Sequence, residues 1–280
     1  MLNSSIVLSQ YLYRELSIYG SGGLSALSYQ LSSSNISSGA GFDFGVGLSL
    51  FYTHSMALHT GAGFRRYSSK NTFINEKTVA LGLKDSEDDI FDMHTTLLDY
   101  REKQNITLLN VPLMLLYHKK NTRAPLSNDG LFVMGGVKLG LPVSGKYKTH
   151  NGALTNEGFY PKMGEWATTQ EFAGYGTFRD INSNGKLNLG ISVMLSLEAG
   201  NTWRINKNIS FYAGAYFDLC LNSIIRGKQQ FIDYTNTHPA VFSTNSVMSL
   251  ADNIRMMSSG LKLQLAFEKI EEKKRHRRRR

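Results

Sequence analysis

The chain has 280 residues, a single cysteine (Cys220) and 19% charged residues. That excludes an internal disulfide framework or a thiolate metal cluster, and the charge content falls short of an ordinary soluble surface. The net charge of +9 sits largely at one end: residues 271–280 hold seven basic and two acidic groups, leaving about +4 for the rest, too little for a nucleic-acid surface. No segment reaches the roughly 18 consecutive apolar residues of a spanning helix.

What the sequence offers instead is strict alternation of apolar and polar residues, the period of a β-strand. The first such segment lies near Glu15–Leu31, with Leu16, Ile18 and Leu24 on one phase and a slip at Ala26-Leu27 that suggests a bulge. The second, near Ala40–Tyr52, sets Phe42, Phe44, Val46, Leu48 and Leu50 against Asp43, Gly45, Gly47 and Ser49. The third, near Met56–Tyr67, sets Met56, Leu58, Ala62 and Phe64 against His59, Gly61, Gly63 and Arg65. In the fourth, near Ile106–Tyr117, Leu109, Val111, Leu113 and Leu115 share a phase, and Pro112, which has no N–H, predicts a bulge or an interrupted ladder.

The fifth segment, near Leu131–Tyr147, opposes Leu131, Val133, Val137, Leu139 and Leu141 to Lys138. The sixth, Leu187–Ala199, is the cleanest: Leu187, Leu189, Ile191, Val193, Leu195 and Leu197 alternate with polar positions that include Glu198. The seventh, Ile209–Leu221, sets Phe211, Ala213, Phe217 and Leu219 against Tyr212, Gly214, Tyr216 and Asp218, with Cys220 a small packing residue on the polar phase. The eighth, near Ser258–Ile270, alternates Leu261, Leu263, Leu265 and Phe267 with Lys262, Gln264, Ala266 and Glu268.

These segments exceed the five or six residues usual in globular strands and match a tilted bilayer crossing. An even number of them, joined alternately by short turns and by long connections near 68–105, 148–186 and 223–257, predicts an all-β, eight-stranded antiparallel up-and-down transmembrane barrel with long outer loops. A soluble eight-strand cup with the apolar phase inside is the alternative. The charged phase also carries the glycines, which relieve crowding in a narrow interior, and this favours the polar phase inside. Residues 1–13 are then a periplasmic segment, 14–270 the barrel and 271–280 a basic tail. Residues 1–20 lack the basic start and apolar run of a secretory signal. Export to the outer membrane of a Gram-negative bacterium therefore predicts that a signal is missing from this sequence.

The inward residues Asp43, His59, Arg65, Lys138, Glu198, Asp218, Lys262 and Glu268 nearly balance in charge and are expected to pair and fill the lumen, since unpaired charges there are costly. A narrow ion path is the alternative use of the same residues. Long loop 148–186 gathers Phe159, Tyr160, Trp166, Phe172, Tyr175 and Phe178, a candidate patch for an envelope protein or surface ligand, or for packing the loops on each other. The acidic run Lys84–Ile90 with Asp92 lacks the calcium-loop spacing and reads as a solvated loop, and Phe91–Glu102 has a spacing compatible with a short helix. Tyr52, Tyr67, Tyr117, Tyr147 and Trp203 are expected at the membrane interfaces. His94, His150 and His238 fall in loops without a nucleophile's context, so no catalytic residue, metal or cofactor is expected. The function expected is a non-enzymatic envelope structural or surface-binding protein, with a barrel enzyme acting on lipid or peptide as the alternative, and the partners expected are outer-membrane lipid and a surface ligand or envelope protein.

Four stretches, Leu109-Asn-Val-Pro-Leu-Met-Leu-Leu-Tyr117, Gly135-Gly-Val-Lys-Leu-Gly140, Leu197-Glu-Ala-Gly-Asn-Thr-Trp203 and Phe211-Tyr-Ala-Gly-Ala-Tyr-Phe-Asp218, resemble the outer-membrane β-barrel family of Bacteroidetes. That group includes OmpA-like and PorT-like barrels. The resemblance spans about residues 14–270 and implies the barrel without implying an activity. It also makes Pro112 ordinary, since an Asn-Val-Pro-Leu strand is common there. The peptidoglycan-binding domain of some relatives has no counterpart in this sequence.

Overall fold

The computed structural model describes residues 13–28, 34–120, 129–227, 230–251 and 253–269. Of the expected periplasmic segment all but Tyr13 falls outside them, as do residues 29–33 between the first two strands and the basic tail. In chain order the strands are β1 (Tyr13–Ser28), β2 (Ser34–Phe51), β3 (Met56–Phe73), β4 (Glu76–Lys84), β5 (Ile90–Lys120), β6 (Gly130–Thr149), β7 (Gly152–Tyr160) and β8 (Glu165–Ala167). They continue with β9 (Gly176–Ile181), β10 (Asn184–Lys186), β11 (Ser192–Asn206), β12 (Ile209–Cys220), β13 (Ile232–Thr235), β14 (Val241–Thr244) and β15 (Arg255–Lys269).

Eight of these make the wall. β1 pairs with β2, β2 with β3, β3 with β5, β5 with β6, β6 with β11, β11 with β12, β12 with β15, and β15 returns to β1, all antiparallel. Neighbours in space are neighbours in sequence once the loop strands are set aside. The apolar phase faces out: Phe44, Leu113, Leu115, Leu195 and Leu263 are all exposed, while Asp43, Arg65, Glu198 and Asp218 are buried. A greasy outside around a polar inside is stable only in lipid, so the soluble-cup alternative fails.

The wall strands outlast the alternating segments at their loop ends. β5 begins at Ile90, where β4 pairs on one side of residues 90–97 and β7 on the other side of residues 92–99. The expected helix at Phe91–Glu102 is therefore a strand. Phe91, Met93, Thr95 and Leu97 are buried in alternation, and a register shift between Leu97 and Asp99 then switches the buried phase to Tyr100, Glu102 and Gln104. That phase switch is what gives Phe91–Glu102 its helix-like spacing. β7 goes on to pair with β8 and β9, and the β13–β14 hairpin completes a folded cap.

Other expectations shift in detail. No bulge occurs at Ala26-Leu27: β1 keeps register with β15 through Ser28, its pairing with β2 having ended at Ser25, and Leu27 points inward because an apolar cluster replaces the polar lumen there. At Pro112 the β3–β5 ladder drops two pairings without changing register, the interruption its missing N–H requires. The sixth segment enters the ladder only at Ser192. Leu189 turns inward and bridges Ile225, while Ile191 and Leu195 face out. Tyr52, Tyr117 and Trp203 are exposed as interface rings should be, but Tyr67 and Tyr147 are buried. Tyr67 lies on the inward phase of β3, and a register shift on the β5–β6 ladder turns Tyr147 in.

The barrel is filled in three layers. At the short-turn end Tyr13, Phe51, Met114, Leu116, Phe132, Met134 and Tyr212 form one apolar cluster. Charged residues occupy the middle. At the long-loop end a second cluster joins the upper lumen (Leu27, Ile106, Leu108, Met194, Met256) to the cap (Phe91, Met93, Val247, Met248).

Candidate functional site

The middle layer begins with Asp43, directly opposite Arg65 on the β2–β3 ladder. Arg65 lies 3.6 Å from Asp43 and 2.5 Å from Asp218. Asp218 also reaches Lys138 at 3.0 Å, Lys138 reaches Glu198 at 3.1 Å, and Glu198 reaches Lys262 at 2.7 Å. The six charges thus alternate in sign along one chain from β2 round to β15, three carboxylates against three cations. Low local polarity strengthens each link and makes any broken one expensive.

Aromatic faces and hydroxyls complete this layer. The Arg65 guanidinium lies 4.5 Å from the Tyr216 ring centre and 5.2 Å from that of Tyr67, and it donates to Ser258 Oγ at 2.8 Å. Lys262 Nζ sits 4.4 Å over Tyr19. These rings were missed in the sequence because an inward Tyr looks like any other polar-phase residue; the cation two positions before Tyr67 was the available signal. Gly45 and Gly63, cross-strand partners, lie under Tyr19: a Cβ on Gly63 would stand 2.1 Å from its hydroxyl oxygen.

Two of the eight expected lumen residues stand apart from the chain of pairs. His59 shares a 2.9 Å hydrogen bond with Ser49 Oγ. Glu268 binds Arg204 at 3.1 Å, near the β11–β12 turn.

The second candidate region is the cap. Of its six aromatics, Tyr160, Phe172 and Tyr175 line a cavity of about 240 Å³, together with Asp85, Tyr234 and His238. Tyr160 Oη donates to Asp85 Oδ2 at 2.9 Å and lies 2.9 Å from Tyr175 Oη. Burial raises the Tyr175 phenol well above its ordinary range. Asp85 also accepts the Glu87 and Asp89 amides at 2.9 and 3.0 Å, so the acidic run is an ordered turn. The remaining three rings pack elsewhere: Phe159 against Trp166 with centroids 4.9 Å apart, and Phe178 against Phe242 at 4.7 Å. Tyr234 and His238 come from a different loop, and no spacing in the sequence joins them to Tyr160. Among the described residues no group of acidic, His or Cys side chains has metal-site geometry.

The sequence profile of the outer membrane protein beta-barrel domain matches residues 5–226, most of the chain, on a ring of eight antiparallel strands with its apolar face out. The chain belongs to the outer-membrane β-barrel family. Its place is the outer membrane of Gram-negative bacteria, with the short turns periplasmic and the cap outside the cell. No curated protein matches. Among solved structures, the barrel is similar to Neisserial surface protein A, at 10% identity over 90% of this chain and 96% of that one (TM-score 0.35). It is also similar to OprG of Pseudomonas aeruginosa, at 11% identity over 91% and 96% (TM-score 0.30). The outer-membrane protease OmpT of Escherichia coli is matched at 8% identity over 96% and 99% (TM-score 0.30).

Proposed function

We propose that this barrel is a non-enzymatic surface protein that binds an external ligand through its cap, on a lumen closed by its ionic core. The observation that carries the reading is the cavity among Asp85, Tyr160, Phe172, Tyr175, Tyr234 and His238, built from three separate loops on a rigid wall, the usual placing of recognition surfaces. Exposed ring faces beside a carboxylate and phenol hydroxyls suit a small hydroxyl-rich group, one sugar of a surface glycan.

The lumen charges are engaged with one another, which supports closure rather than conduction. His59 meets Ser49, but each is only 1% exposed, out of a substrate's reach. His94 stacks near Trp166, His150 bonds Asn182 and His238 packs on Phe172, which supports binding over catalysis. We place the chain in the Bacteroidetes subgroup on the Asn110-Val-Pro-Leu113 strand and its neighbouring motifs.

The test is a glycan array read with the full chain in nanodiscs. Binding by the wild type that falls about tenfold in Phe172→Ala and Tyr234→Ala, as loss of a stacking face predicts, supports the proposal. Absence of wild-type signal above empty nanodiscs, or equal signal from the variants, overturns it.

A further inference from the structure

The outer wall carries a second feature, at the level where the lipid-facing band ends. On β6 the outward apolar run closes with Leu139, Leu141 and Val143, all exposed, and the next outward residues are Lys146 and Lys148. Lys148 pairs directly with Lys103 on β5, and Lys103 with Lys70 on β3. Lys146 pairs with Lys186 on β10. All five side chains are exposed. Like charges directly opposite on a sheet face repel, and among the described residues none of the five has an ion pair. The nearby Arg101 is taken by Asp99 at 2.9 Å, and Arg66 donates to Asn105 Oδ1 at 3.3 Å.

Below Lys146 and Lys186 the wall opens. The β5–β6 register jumps across Val143, Thr107 facing Ser144 while Leu108 faces Pro142. β11 joins β6 only from Ser192 opposite Gly140, and the chain between holds on through the Leu187 amide, 3.0 Å from the Gly145 carbonyl oxygen. The result is an open groove of about 480 Å³ with Val143, Leu187 and Leu189 along it and the two lysines at its rim. The groove is continuous with the lipid-facing band, on the side of the long loops.

We propose that this groove and the lysine row bind a phosphorylated glycolipid of the outer leaflet, an acyl chain lying along Val143 and Leu187 and phosphates bridging Lys146, Lys186 and the Lys148–Lys103–Lys70 row. A divalent phosphate would turn the cross-strand repulsion into attraction, and a lipid is the source that satisfies the apolar groove and the cations together. The binding places no demand on the cap cavity, so the two proposals stand or fall separately.

The test uses the full chain in phosphatidylcholine nanodiscs, titrated with bisphosphorylated lipid A, with the same glycolipid dephosphorylated, and with sodium phosphate. The wild type should bind lipid A at least tenfold tighter than its dephosphorylated form. Lys146→Gln/Lys186→Gln should weaken lipid A binding about tenfold, whereas Lys207→Gln, on the short-turn side, should leave it unchanged. All these lysines are exposed, so the variants should fold, and heat-modifiable electrophoretic mobility checks that they do. Val143→Gln should weaken lipid A binding and leave any response to sodium phosphate unaltered. Equal binding of both glycolipids, equal binding by the double variant, or competition by millimolar phosphate without an acyl contribution would each overturn the proposal.

Discussion

Arg65 has more partners than any other cation of the lumen: two carboxylates, a serine hydroxyl and two tyrosine faces. Removing it leaves Asp43 and Asp218 facing a buried gap. Asp218 keeps Lys138, so Asp43 bears the larger loss. Arg65→Met is expected to destabilise the folded barrel by about 3–5 kcal/mol, the usual cost of breaking a buried pair from one side, measured by urea unfolding in lipid vesicles. A loss under about 1 kcal/mol would show that water reaches these carboxylates. The identities of the charged residues were legible from their phase alone. Their order along the chain of pairs was not, because strand tilt and stagger decide which inward residues meet across the barrel. Glu268 shares the phase of Lys262 and still pairs elsewhere.

At the scale of elements, eight wall strands were readable because each carries its alternation through the membrane. The cap strands were not. Phe91–Leu97 alternates for four buried residues and then changes phase at the Leu97–Asp99 shift, so a period-two count fails across it. Leu113, midway along the outward apolar stretch of β5 and half exposed, should meet the bilayer near its centre. Leu113→Arg is expected to cost about 2–4 kcal/mol of folding free energy in vesicles, and a neutral result would mean that this face is not in lipid.

Higher on β5, above the membrane, Glu102 ties the third long loop to the wall. It accepts Ser246 Oγ and the Val247 amide, the latter at 3.0 Å, and Gln104 Nε2 at 2.7 Å. Burial raises its carboxyl from the ordinary range to about 7. With the loop open the group titrates as an ordinary glutamate, near 4.5. The closed state therefore keeps a proton that the open state has lost between about pH 4.5 and 7. Closure is strongest below that window, weakens as pH rises through it and is level above. Hydrogen exchange at Val247 and Met248, corrected for intrinsic rates, should show more protection at pH 5 than at pH 8, and Glu102→Gln should remove the difference. Equal protection in the wild type at both values would contradict this.

For the whole molecule, the layering explains how a lumen lined with charge stays closed. Apolar clusters seal both ends, so the paired charges between them are shielded from bulk water and hold one another more strongly. The polar phase of the sequence announced the middle layer. The upper seal was hidden, because its residues come from β1, β5, β11 and β15 as well as from loops far apart in the chain. Conductance of the wild-type barrel in a planar bilayer tests this closure most directly. Baseline current with at most brief, small openings is expected, and more frequent openings in Arg65→Met; a steady, large conductance in the wild type would contradict a closed lumen.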